Sequence, residues 1–135
     1  SVAAMQYLKL AEITGRKDFR DVVDKTLSST ATAMQKSPYA MAWMMCVADM
    51  QLGEHVRLVI AGEDKQQEFI KVRFQTYSPR LICMGNTGKV DAFTAGLKPI
   101  EGKTAAYYCI GQICKEPVTD PAKLREQLKQ SKAKK

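Results

Sequence analysis

The chain has 135 residues, of which 45% are hydrophobic and 26% charged, with a formal net charge of +7. That is enough for one domain with a real core, too little for several independent cores, and unlike the composition of a disordered chain. The most apolar run, Tyr39 to Val47, falls far short of the roughly 20 residues that cross a bilayer, and no basic-then-apolar leader opens the chain, so a soluble, cytoplasmic protein is expected.

The charge is concentrated at one end. Residues 1–53 carry 6 basic and 5 acidic groups, residues 54–120 carry 9 and 8, and residues 121–135 carry 6 and 1. A nearly neutral body therefore ends in a basic tail with Lys129, Lys132, Lys134 and Lys135. Without interleaved aromatics, such a tail predicts local, salt-sensitive attraction to phosphates and no organised nucleic-acid face.

Three helices are expected first. Val2, Met5 and Leu8, with Ala4, Tyr7 and Ala11 beside them, form an apolar side that Gly15 terminates. Phe19, Val22, Val23, Thr26, Leu27, Thr30 and Met34 recur at intervals of three and four, predicting an amphipathic helix from about Lys17 to Gln35. Ser37 and Pro38 read as N-cap and first helical residue of a third helix ending near Leu52, before Gly53. Tyr39, Met41, Trp43, Met44, Met45, Cys46 and Val47 leave that helix almost no polar face, so it should be packed between neighbours.

After Gly53 the pattern becomes strands alternating with helical segments. His55–Ala61 reads as a strand, Gly62-Glu63-Asp64 as a turn and cap, Asp64–Thr76 as a short helix with Phe69, Ile70, Val72 and Phe74, and Arg80–Met84 as a second strand. This order predicts a parallel βαβ unit. Gly85-Asn86-Thr87-Gly88 forms a loop before a short helix near Asp91–Leu97, and Asp120 and Pro121 cap a final helix. Both glycine loops follow parallel strands, where α/β sheets commonly hold ligands. Glu63 and Asp64 would repel a phosphate, however, and the second loop lacks the dinucleotide and P-loop patterns, so turn chemistry accounts for both better.

Thr104–Ile110 and Ile113–Lys115 flank Gly111-Gln112, which suits a type II′ hairpin turn. Ile110 and Ile113 then close the turn, and Cys109 faces Cys114 in a non-hydrogen-bonded pair with Cα atoms about 4.5 Å apart. A disulfide there lies at the short end of the usual geometry, and a strained disulfide is the more readily reduced. The competing reading is two small buried apolar residues. Both stand at this point. The spacing of Cys46, Cys83, Cys109 and Cys114 does not match two close zinc-ligand pairs, and no catalytic motif ties His55 to a nucleophile or carboxylate. No catalytic, cofactor-binding or metal-ligating residue is assigned, apart from Cys109 and Cys114 as a candidate redox pair.

Several of these strings together resemble a known family. Ser1-Val2-Ala3-Ala4-Met5 with Leu8, Leu10-Ala11-Glu12 and Thr14-Gly15, then Val59-Ile60-Ala61-Gly62, and finally Thr104-Ala105-Ala106-Tyr107 through Cys109, Cys114, Pro117-Val118-Thr119-Asp120-Pro121 and Leu124 are similar to the C-terminal section of the YyaL-type, spermatogenesis-associated thioredoxin-domain proteins. The last block is the most specific. The resemblance implies a longer parent with a thioredoxin-like domain and an α/α toroid similar to those of sugar epimerases and six-hairpin glycosidases. Residues 1–53 would be the last toroid helices, with Ser1 toward the lumen, residues 54–120 a small α/β cap, and residues 121–135 a C-terminal helix and basic tail. Ile110-Gly111 stand where family members usually have Glu-Asn. A start without Met, directly in a helical pattern, also fits a fragment.

The leading expectation is thus a mixed α and α/β segment, non-catalytic by itself, that completes and caps the toroid. Its partners would be the rest of the parent protein or a second copy meeting the apolar third helix, with no nucleic acid and no membrane. A second reading makes Cys109 and Cys114 a redox-accessory dithiol, with Cys109, behind Tyr107 and Tyr108 on the longer strand, as the attacking thiol. A third is a small α/β ligand-binding module using the loops after the first two strands.

Overall fold

A computed structural model describes residues 2–133; Ser1, Lys134, Lys135 and the side chains of Lys132 and Ala133 lie outside the described residues. The chain divides into two units, one ending at His55 and one beginning at Val56.

The first unit contains α1 (Val2–Thr14), α2 (Lys17–Lys36) and α3 (Ala42–Leu52). Gly15 ends α1 with φ +71°, and its N–H donates to the Ala11 carbonyl at 2.9 Å. The left-handed conformation is one that glycine adopts without a Cβ clash. The buried residues of α1 are Ala4, Met5, Leu8, Ala11 and, unexpectedly for a charged group, Glu12. In α2 only Val23 is buried, while Phe19, Thr26, Leu27, Thr30 and Met34 are half-buried and Val22 is exposed.

Two expectations for the third helix are corrected. Ser37 does not cap α3: its N–H donates to the Ala33 carbonyl and ends α2, residues 38–41 form a turn, and α3 starts after Met41 with no side-chain cap. Nor is α3 covered all round. Met44, Val47 and Met50 form one buried stripe, whereas Trp43 is 50%, Met45 45% and Leu52 87% exposed. Period-3.6 packing against two helices buries one stripe, and the opposite face has no covering element in this unit.

The second unit is a four-stranded mixed sheet, β1 (Val56–Ala61), β2 (Leu81–Gly85), β3 (Ala105–Ile110) and β4 (Ile113–Cys114), in the order β2-β1-β3-β4. β1 pairs parallel with β2, as the βαβ reading requires, and antiparallel with β3. His55 precedes the strand instead of opening it. Between the strands run α4 (Gln66–Phe74) and α5 (Ala92–Ala95), and α6 (Pro121–Ala133) closes the unit. α4 is shorter than expected at both ends: Lys65, not Asp64, occupies its N-cap position, in a left-handed conformation with φ 54°, and the helix stops at Phe74, before Thr76. The Asp120 carboxylate accepts from the Ala122 N–H at 3.0 Å, so the expected cap of α6 is present.

Strand alternation separates two faces. Leu58 and Ile60 of β1, Leu81 of β2 and Ala106 and Tyr108 of β3 pack with Phe69 and Val72 of α4 and Leu124 and Leu128 of α6. Arg57, Val59 and Ala61 point to the other face. Their register partners on β3 are Cys109, Tyr107 and Ala105.

Candidate functional site

The hairpin forms with the expected register, Ile110 opposite Ile113 and Cys109 opposite Cys114. Gly111 has φ +61° while Gln112 stays at negative φ, the pattern of a type II′ turn. The Lys115 N–H donates to the Tyr108 carbonyl at 2.9 Å. The cysteine pair therefore sits between hydrogen-bonded positions, where strands approach most closely. Cys109 and Cys114 are joined by a disulfide, with Cα atoms 3.9 Å apart. Of the two readings left open for these residues, the bonded one describes the structure.

The two sulfurs are not equivalent. Cys109 is fully buried on β3, whereas Cys114 is half-buried on the edge strand. The longer strand, on which Cys109 stands, is the one that buries it. At the tip, Ile110 is 39% and Ile113 80% exposed.

Arg57 links the hairpin to α5. Its Nη1 donates to Asp91 Oδ2 at 3.0 Å and contacts Thr94 Oγ1 at 3.5 Å, while Nη2 donates to the Gly111 carbonyl at 2.8 Å. The guanidinium also lies 5.4 Å from the centre of the Phe93 ring. Asp91 is the N-cap of α5, accepting from the Thr94 N–H at 3.3 Å. Partial burial alone would raise the Asp91 carboxyl, but the hydrogen bonds from Thr94 and Arg57 and the Arg57 charge outweigh it and hold it below its ordinary range. A buried arginine is retained only with such partners. Arg57 was not singled out from sequence, although a cation inside Val56-Arg57-Leu58-Val59-Ile60 was the available signal.

The remaining candidates are placed elsewhere. His55 belongs to the helical unit, where its Nδ1 lies 3.3 Å from Glu12 Oε1, the same oxygen that Arg20 binds. Arg20 also donates to Gln51 Oε1 at 3.2 Å, and Gln51 donates to Asp24 at 2.8 Å. These bonds tie α1, α2 and the end of α3 together. Cys46 is exposed on α3; Cys83 is half-buried on β2, and burial pushes its thiol up despite the opposing charge of Arg73. Among the described residues no group of three or more His, Cys, Asp or Glu could hold a metal ion, and no helix is long and apolar enough to cross a membrane. Gly62 has φ +122°, and a Cβ there would lie 2.6 Å from Thr104 Oγ1. In the second loop the Asn86 side chain donates to the Leu97 carbonyl at 2.8 Å. Chain geometry thus accounts for the features that suggested ligand loops.

The fold and site define a mixed α/β segment with a disulfide-closed hairpin, in the order that the family resemblance implied. Across nearly its whole length the chain is similar to spermatogenesis-associated protein 20 of Homo sapiens, at 30% identity over 139 residues, covering 95% of this chain and 18% of that protein. The proteins of the same name from Rattus norvegicus and Mus musculus are each 26% identical over 140 residues, covering 96% of this chain and 18% of theirs. The resemblance to the spermatogenesis-associated family is borne out by these matches, and the chain spans about one fifth of the length of the curated relatives. No protein-family model and no solved structure matches it.

Proposed function

We propose that the chain is a non-catalytic segment that completes and caps a larger protein. In this reading the three N-terminal helices close an α/α toroid, residues 54–120 form its cap, and residues 121–135 add a C-terminal helix and basic tail. The observation that carries it is the face of α3 bearing Met45 and Leu52, which is exposed opposite the buried stripe. An apolar helix face of that kind is characteristic of an interface. The similarity to a fraction of much longer relatives supports the same reading. Sedimentation of the 135-residue chain tests it. Self-association that Met45→Glu with Leu52→Glu abolishes is the expected result, whereas a monodisperse monomer at every concentration overturns it.

A second reading is favoured by the bonded state of Cys109 and Cys114. The hairpin then serves as a redox-accessory dithiol for a thioredoxin-like domain of the parent protein. Thiol counting discriminates: the native chain should show only Cys46 and Cys83 as free thiols, with two more after mild reductant. Four free thiols under oxidising conditions remove this reading.

A further inference from the structure

We propose that the Cys109–Cys114 disulfide is exchanged by a dithiol partner along one route: the incoming thiolate attacks Cys114, Cys109 leaves, and Arg57 is the positioning residue that favours its departure. The proposal rests on the redox-accessory reading and specifies how that site would work.

Access comes first. Thiol–disulfide exchange needs the attacking sulfur roughly in line with the bond that breaks. The order β2-β1-β3-β4 runs the disulfide across the sheet, from the inner strand to the edge. An in-line approach to Cys114 comes from beyond the edge strand, and that residue is half-buried. An in-line approach to Cys109 would have to come from the β1 side, where Arg57 is its register partner and Cys109 is fully buried.

The leaving group favours the same route. Exchange is faster when the departing thiol is more acidic, and a neighbouring cation makes it so. Residues paired across antiparallel strands have neighbouring side chains on one face, so Arg57 and Cys109 are such neighbours. The guanidinium is also fixed, by its bonds to the Gly111 carbonyl in the turn and to Asp91. Asp91 offsets part of the positive charge while holding it in place. Cys114, on the far side of β3 from β1, has no comparable cation in register.

The step balances with a dithiol as co-reactant. The partner's thiolate forms a bond to Cys114 Sγ, the Cys109–Cys114 bond breaks, and its electron pair remains on Cys109 as thiolate. The partner's second thiolate then attacks its own first sulfur and releases Cys114. Two protons from the partner end on Cys109 and Cys114. The chain gains two electrons, and the partner becomes a disulfide.

Two measurements test this. First, the oxidised chain is mixed with a thioredoxin-class protein whose resolving cysteine is replaced by serine, then quenched in acid, and fragment-ion sequencing locates the adduct. Adduct on Cys114 in about ten-fold excess is expected, and adduct mainly on Cys109 overturns the route. Second, the rate of reduction by dithiothreitol is compared among variants. Arg57→Met should slow it about ten-fold, and Arg57→Lys, which keeps the charge, should stay within about three-fold of the parent. A purely structural Arg57 gives the opposite sign, since loosening the hairpin exposes the bond and speeds reduction; an unchanged or faster Arg57→Met reaction overturns its role. If Arg57→Met does not fold, the Arg57→Lys rate and the adduct map decide. Failure of both thiol reagents to open the disulfide in the folded parent chain removes the redox-accessory reading itself, a result distinct from opening by the wrong sulfur.

Discussion

The helical unit and the α/β unit handle similar apolar sequences in opposite ways. In the α/β unit, Leu58, Phe69 and Leu124 are wholly buried between one face of the sheet and two helices, and its exposed aromatics Phe74 and Tyr77 sit at a helix end and in the loop beyond. In the helical unit, α3 exposes Met45 and Leu52 on the side opposite its buried stripe. Sheet and helices in the first case form two layers that enclose a core. Three helices alone leave a largely apolar one uncovered on one side. Apolar content is therefore a poor measure of self-sufficiency, which depends on whether a second layer is present.

The largest expected effect comes from breaking the closed core. Phe69→Ala should cost about 3–5 kcal/mol in denaturant-induced unfolding, because the ring is fully buried among both layers. A loss below about 1 kcal/mol would mean that the α/β core is not the stable half. A smaller effect is expected from the Arg57–Asp91 ion pair on the other face of the same sheet. Asp91 is held below its ordinary carboxyl range, so its contribution is complete above that range, near about pH 4, and is lost as pH falls through the depressed folded value. Asp91→Asn should lower stability at neutral pH and flatten the fall in stability below pH 4 by this one group; an unchanged acid slope would show that the carboxyl does not titrate with folding. The smallest effect belongs to the open face. Leu52→Ser should change the stability of the dilute chain by less than about 0.5 kcal/mol, given 87% exposure. A larger loss would show Leu52 covered and end the contrast between the units.

Local chemistry was the part of the fold legible in the sequence. Gly15, the Asp120-Pro121 cap and the hairpin register all follow from short-range rules acting on neighbouring residues. Ser37 misled because a serine before proline suits a helix start, while here its backbone N–H is taken by the preceding helix. The partners of Arg57 were not legible: Asp91 and Gly111 lie 34 and 54 residues away and meet it only once β3 is placed beside β1. The same pairing decides which sulfur of the candidate site is buried, which the hairpin by itself leaves symmetric. Glu12 illustrates the same limit in the helical unit, since its burial depends on Arg20 and His55 arriving from other segments.

The meeting of Gly62 and Thr104 limits how this chain can change. A side chain at residue 62 would collide with the Thr104 hydroxyl and also with its backbone Cα, 2.9 Å away, and would have to adopt φ +122°. Shortening Thr104 removes the hydroxyl but neither the backbone contact nor the torsion. No single compensating substitution therefore frees residue 62, and descendants of this sequence can lose that glycine only by rebuilding the turn that carries it.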